Sequence, residues 1–266
     1  MDLIQSSPWY SEHKVLETVF RSLRPTLLRS PETVQEKGGG KGPVTDLDTL
    51  VDQRLKEELL RRFPEDGWLS EESPDIEGKG RIWVVDPIDG TRELVQGVPE
   101  WVISVALFLG NELRGGWIYH PPSDTLWHGV PYRGAWKNET PITLTPPPDL
   151  EGIRIGVSRT DTARGRIPPL PFNLRVIGSI AYKLALLASG ELDAVLSVTP
   201  KRLWDMAGGV AVLLGSGGAI LDLDRNETIL SLPLVRDRLF AKGFVASHPR
   251  WLGNLARSLR VRGGKG

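Results

Sequence analysis

The stretch RIWVVDPIDGT, residues 81–91, constrains this chain more than any other. An apolar run of strand length stops on Asp86. Asp89 follows three residues later, directly before Gly90 and Thr91. Pro87 restrains the backbone between the two acids, and a helix is expected to begin near Arg92. A buried strand turning into a helix belongs to a layered arrangement of sheets and helices. Asp86 and Asp89 then project into one pocket at the carboxyl end of the strand. The N–H groups of Gly90 and Thr91 open the helix and face the same pocket, where they suit phosphate oxygens. Carboxylates are the hard ligands magnesium takes. An Asx turn with both aspartates solvated explains the same residues without a ligand.

The surrounding sequence extends this pattern. Residues 8–30 read as a helix with Val15, Val19, Leu23 and Leu27 on one stripe, interrupted or kinked at Pro25. EKGGGKGP (36–43) reads as a flexible Gly-rich loop. A second helix follows, capped by Thr45 or Asp46, with Leu47, Val51, Leu55 and Leu59 inside. Strand-like runs then follow one another: RIWVVD, WVISVALFLG, ELRGGWIYHP and DTLWHGV. LTPPPDLEG marks a joint, giving an expected division into 1–146 and 147–266. Beyond it, strands (IRIGVS, LRVIG, DAVLSV, AILDL) alternate with apolar helices (SIAYKLALLASGE, WDMAGGVAVLLGSGG).

Composition narrows the functional classes. Lys+Arg and Asp+Glu balance at 33 each, which argues against a nucleic-acid polymer as partner. No apolar run is long enough to span a bilayer, and the start shows no signal peptide. There is no cysteine, so a disulfide, a thiolate metal site and a cysteine nucleophile are excluded. A cytoplasmic protein with no membrane partner is the expectation. His13, His120, His128 and His248 are scattered and read as surface or structural residues.

Three further acidic segments accompany the aspartate pair. LSEES (69–73) holds Glu71 and Glu72. LWDMAGG (203–209) opens an apolar helix with Asp205. VTDLD (44–48) puts Asp48 one turn into the second helix. Taken singly, each has an ordinary reading as a solvated pair or a helix cap.

Together, in this order and spacing, VTDLD, SEES, DPIDGT and WDMAGG resemble the inositol monophosphatase family, over roughly residues 10–225. The resemblance implies a layered αβαβα sandwich (α/β, α+β), a homodimer, magnesium dependence, lithium sensitivity and hydrolysis of a small phosphorylated metabolite. It implies two or three Mg2+ ions per site. Glu71, Asp86 and the Ile88 carbonyl would bind the first, and Asp86, Asp89 and Asp205 the second, with a weaker third ion leaning on Glu71. Asp48, Thr91 and Glu71 would be catalytic, with Thr91 and Asp48 orienting and deprotonating the attacking water. Gly90 and Thr91 N–H groups would hold the phosphate. Lys37 could approach the phosphate or a water, and Glu72 would support it.

The substrate side departs from the inositol-cleaving pattern. Val198 stands where those relatives carry a glutamate seven residues before the aspartate of WD, and Arg92-Glu93-Leu94 follows DPIDGT in place of Thr-Asn-Phe. Arg92-Glu93-Leu94 is closer to the pattern of relatives that cleave 3'(2'),5'-bisphosphate nucleotides. Ser179 and Ala181 in GSIAYKLA, and Ser158 or Arg159 in IGVSRT, occupy positions that border the substrate in the family. Lys201 and Arg202 could recognise a second phosphate or form a solvated pair. Inositol monophosphate is the first expectation. Bisphosphorylated nucleotide comes next, then fructose 1,6-bisphosphate and histidinol phosphate. A catalytically silent phosphate- or metal-binding regulator is the non-enzymatic alternative, and acids serving only as helix caps the structural one.

Overall fold

A computed structural model describes residues 7–38, 42–234, 239 and 243–263. Its largest sheet has seven strands in the order β3-β4-β5-β6-β7-β8-β9. These are β3 (Gly67–Ser70), β4 (Arg81–Asp89), β5 (Val102–Leu109), β6 (Glu112–His120), β7 (Thr125–Val130), β8 (Gly134–Lys137) and β9 (Thr140–Ile142). β3 and β4 are parallel, and from β4 onward the strands form an antiparallel meander. The two-residue period of the strands sorts their side chains between two cores. Trp83, Val85, Ile103, Val105 and Leu107 face one side, with α1 (Tyr10–Leu27) and α2 (Asp46–Arg62) over them. Val84, Ala106, Phe108 and Ile118 face the other, under α5 (Ile180–Ala188) and α6 (Leu203–Gly215).

The second sheet has six strands in the order β11-β10-β12-β15-β13-β14. They are β10 (Arg154–Ser158), β11 (Asn173–Ile177), β12 (Ala194–Ser197), β13 (Ala219–Asp222), β14 (Glu227–Ile229) and β15 (Phe244–Ser247). Val195, Ile220, Phe244 and Ala246 join the core beneath α5 and α6, while Ile155, Leu196, Leu221 and Val245 pack with α7 (Pro249–Gly263). The order of layers is therefore helix, sheet, helix, sheet, helix, as expected. Both faces of the α5/α6 layer meet a sheet, which is why those helices are apolar all round.

Three local readings change. Pro25 does not interrupt α1, which runs through it to Leu27; the proline forgoes the N–H that would have bonded the Arg21 carbonyl. The stripe of α1 is rotated: Leu16 and Phe20 are buried with Val19, Leu23 and Leu27, and Val15 is half-buried. The Gly-rich segment is flanked by a hairpin of β1 (Val34–Lys37) and β2 (Gly42–Thr45). Residues 39–41 of that segment lie outside the described residues. No helix among the described residues is long and apolar enough to cross a membrane.

Candidate active site

β4 runs through both aspartates, but its register against β5 shifts between Asp86 and Asp89. Pro87 has no N–H to give the ladder, so an irregular stretch accommodates it. The Ile88 N–H turns back to Asp86 Oδ1 at 3.1 Å. Gly90 then takes φ 104°, a left-handed conformation, and starts α3 (Thr91–Val95). A Cβ at Gly90 would come within 2.9 Å of the Glu100 carbonyl oxygen, so packing also demands glycine there.

An open cleft of about 840 Å³, including solvent at its mouth, lies over this turn. Glu71, Asp86, Ile88, Asp89, Gly90, Thr91, Arg92, Ser158, Ser179, Lys201 and Asp205 all line it. These residues come from both sheets and from the helices between them. Carboxylate oxygens of Glu71, Asp86 and Asp205 lie within 4.8 Å of one another. Asp89 is not in that tight group, and one of its oxygens has protein partners. Its Oδ2 accepts from Ser179 Oγ at 2.6 Å and from the Ala181 N–H at 2.7 Å.

Crowding of buried acids shapes the electrostatics. Burial pushes the Asp86 carboxyl well above the usual range, and the charges of Glu71, Asp89, Asp205 and Asp48 push it further. Asp205 is raised to about 7 by burial and by Asp89. Asp89 is raised by burial, against the bonds from Ser179 and Ala181. Clustered hard oxygen donors that oppose one another's ionisation fit a divalent cation, whose charge would reverse the repulsion.

Several expected residues act from outside the cleft lining. Asp48 is buried; its Oδ2 takes the Thr45 N–H at 2.8 Å and the Thr45 hydroxyl at 2.6 Å, closing a capping box on α2. Its Oδ1 accepts from the Thr91 hydroxyl at 3.0 Å, which lies equally near the Ile88 carbonyl. Lys37 donates to Glu71 at 2.7 Å and also bonds Glu72, so its ammonium neutralises these acids. Ala181 contributes its backbone N–H alone. Arg202 is not brought to the cleft: it precedes α6, gives its N–H to Asp205 Oδ2 at 2.9 Å, and holds its guanidinium over the Trp204 ring.

The cleft also contains residues not singled out from sequence: Gly42, Thr160, Lys183 and Ser197. Only Lys183 left a visible signal, as the one charge inside the apolar stretch IAYKLALLA. Arg159 lines the cleft but is occupied by Glu100 at 2.5 Å and Glu93 at 3.8 Å. Three histidines are structural. His13 and His128 are buried side by side, and His120 bonds the Pro99 carbonyl while stacking on Tyr182.

The fold and this site define a layered sandwich protein with an acid-lined cleft between its sheets. The sequence matches the inositol monophosphatase family over residues 12–262, and the chain belongs to that family. Inositol monophosphatase 1 of Solanum lycopersicum is 30% identical over 200 residues, spanning 69% of this chain and 73% of the relative. Fructose-1,6-bisphosphatase/inositol-1-monophosphatase of Thermotoga maritima is 27% identical over 224 residues, 82% of each. The crystal structure of extragenic suppressor protein suhB from Bartonella henselae superposes with a TM-score of 0.77 at 24% identity. That alignment covers 94% of this chain and 98% of the other, a likeness of fold.

Proposed function

We propose that this chain is a magnesium-dependent phosphatase hydrolysing a small phosphate monoester, inositol monophosphate first. The observation that carries this reading is the convergence of Glu71, Asp86 and Asp205 beside the Gly90–Thr91 helix start. Glu71, Asp86 and the Ile88 carbonyl would hold one Mg2+, and Asp86, Asp89 and Asp205 another. Bound there, the ions would supply Lewis acidity toward a water and toward the phosphate oxygens. The N–H groups of Gly90 and Thr91, at the start of α3, would fix the phosphate. The Thr91 hydroxyl, bonded to Asp48, would orient the attacking water and pass its proton toward that buried carboxylate. The water oxygen forms the new bond to phosphorus, and the ester oxygen leaves and takes up a proton. Positioning and charge stabilisation suffice for this transfer, so no protein nucleophile is required.

A second reading has support at the cleft. Lys201 bonds the Thr199 hydroxyl at 2.7 Å, and no acid among the described residues lies within ion-pair distance of it. A substrate with a second phosphate, such as fructose 1,6-bisphosphate or a bisphosphorylated nucleotide, would meet that ammonium. A panel of inositol 1-phosphate, these two substrates and histidinol phosphate, assayed with Mg2+, separates the readings. Asp89→Asn is expected to nearly abolish turnover on whichever substrate is best, with the fold retained. Wild-type turnover by that variant would remove the proposed site. Lithium, an inhibitor implied by the family resemblance, is expected to suppress the same activity.

A further inference from the structure

Lys183 is a buried lysine in the wall of the cleft, with no carboxylate in ion-pair contact among the described residues. Its Nζ donates to the carbonyl oxygens of Ile177 and Ser179, each at 2.9 Å, and also bonds that of Gly178. Burial lowers its pKa to about 8, against the attraction of Asp89. A buried ammonium is costly, and it persists when donors and acceptors match. Here three N–H donors meet three consecutive carbonyls. Its stem passes over β10 at Gly156, where a Cβ would come within 2.7 Å of Leu192 Cδ1 and 3.2 Å of Lys183 Cδ. The sheet thus leaves room for this side chain.

The three carbonyls run from the last residue of β11 through the turn that leads to α5. That turn does one visible thing: it grips Asp89. Ser179 Oγ and the Ala181 N–H both bond Asp89 Oδ2, while the Tyr182 N–H bonds Ser179 Oγ. The opposite edge of the turn is tied by the Gly178 N–H to Glu100 Oε2 at 2.8 Å. We infer that Lys183 is a positioning residue: its ammonium clamps the 177–179 carbonyls so that Ser179 and Ala181 hold one oxygen of Asp89 and leave the other for a cation. The inference rests on the proposed role of Asp89 as a metal ligand. It explains why a charge sits in a helix otherwise suited to a purely apolar layer.

The test uses the full chain with Lys183→Met, which keeps much of the stem and removes the donors, and Lys183→Gln, which keeps one amide donor group. Two readouts are taken. Hydrogen exchange reports protection of the Ala181 amide without metal, and Mn2+ binding is measured by calorimetry. Asp89→Asn is measured alongside. The expected result is loss of Ala181 protection and Mn2+ binding weakened by about tenfold or more in Lys183→Met, the range for residues that orient ligands. Lys183→Gln should fall between that variant and the wild type, and decides the matter if Lys183→Met does not fold. Retained Ala181 protection overturns the clamp. Unchanged Mn2+ binding in the Lys183 variants, with weakened binding in Asp89→Asn, overturns its link to the metal. Unchanged binding in Asp89→Asn removes the ligand role of Asp89 itself, and the inference falls with that reading.

Discussion

Asp48, Asp89 and Asp205 divide their work between two oxygens. In each, Oδ2 meets a structural demand: the Thr45 cap, the Ser179 turn or the Arg202 N–H. This leaves the second oxygen of each acid for other partners, and for Asp48 that partner is the Thr91 hydroxyl. A helix-cap reading and a site reading of such a residue are therefore not rivals. Thr91→Val tests the division, since it removes the hydroxyl and leaves the Thr45 cap untouched. The expectation is a fall in kcat of roughly a hundredfold or more, with about 1–2 kcal/mol lost in denaturant unfolding. Steady-state kinetics and unfolding curves on the same preparation check both numbers, and an unchanged kcat would remove Thr91 from the chemistry. At this scale the acids were legible because charge has few reasons to follow a buried strand. Lys183 was visible as a residue but not as a device, because its partners are backbone carbonyls, which carry no sequence mark.

Among the elements, α6 best shows how packing sets the site. Gly208 faces the seven-stranded sheet, where a Cβ would come within 2.7 Å of Ser104 Oγ and 2.9 Å of Ile118 Cδ1. Gly209 faces α5, with a Cβ 2.9 Å from that of Leu184. Adjacent glycines thus let one helix touch sheet and helix at close range, offsetting the roughly 0.5–1 kcal/mol that glycine costs in a helix interior. Asp205 stands one turn earlier on the same rod, so its depth in the cleft follows from that contact. Gly208→Ala is expected to cost about 1–3 kcal/mol by overpacking and to weaken Mn2+ binding as Asp205 is displaced. Thermal melts and calorimetry measure the two, and a destabilised protein with wild-type binding would uncouple helix seating from the site. The main helices and central strands were readable because their apolar periods are long. The β1–β2 hairpin was hidden because each strand is only four residues long, β1 is mostly exposed, and few of their side chains are apolar. The position of Arg202 was not legible, because proximity to Asp205 in sequence does not fix where a side chain at a helix start turns, here onto Trp204.

For the whole molecule, two buried groups of residues pull stability in opposite directions with pH. Far from the cleft, burial lowers His13 to about 4 and His128 to about 3. His128 is held neutral between the Gly116 carbonyl and the Ser7 hydroxyl, and is stacked on Trp117. Depressed pKa values mean that the unfolded chain takes up protons first. Stability is then complete above about 6.5 and is lost as pH falls toward 3, by about 1.4 kcal/mol per pH unit for each histidine that titrates. The acids of the cleft act the other way. Asp86, Asp89 and Asp205 are raised by burial, so their contribution is complete below about 3.9 and is lost as pH rises through the folded values, about 7 for Asp205. Between pH 4 and 6.5 the two trends oppose each other in the chelated protein, and above that range only the acids continue to cost stability. A divalent cation held by Glu71, Asp86 and Asp205 compensates the ionised acids of the cleft and leaves His128, which is outside that group, uncompensated. The increase in Tm caused by Mg2+ should therefore be small near pH 5 and grow toward pH 8, while acid unfolding below pH 5 proceeds with or without metal. Melts in EDTA and in excess Mg2+ across this range measure both limbs. An Mg2+ increment that does not change with pH would mean that the cleft acids are not what the cation neutralises. His128→Gln should flatten the acid limb alone, which distinguishes the histidine core from the cleft within the same titration.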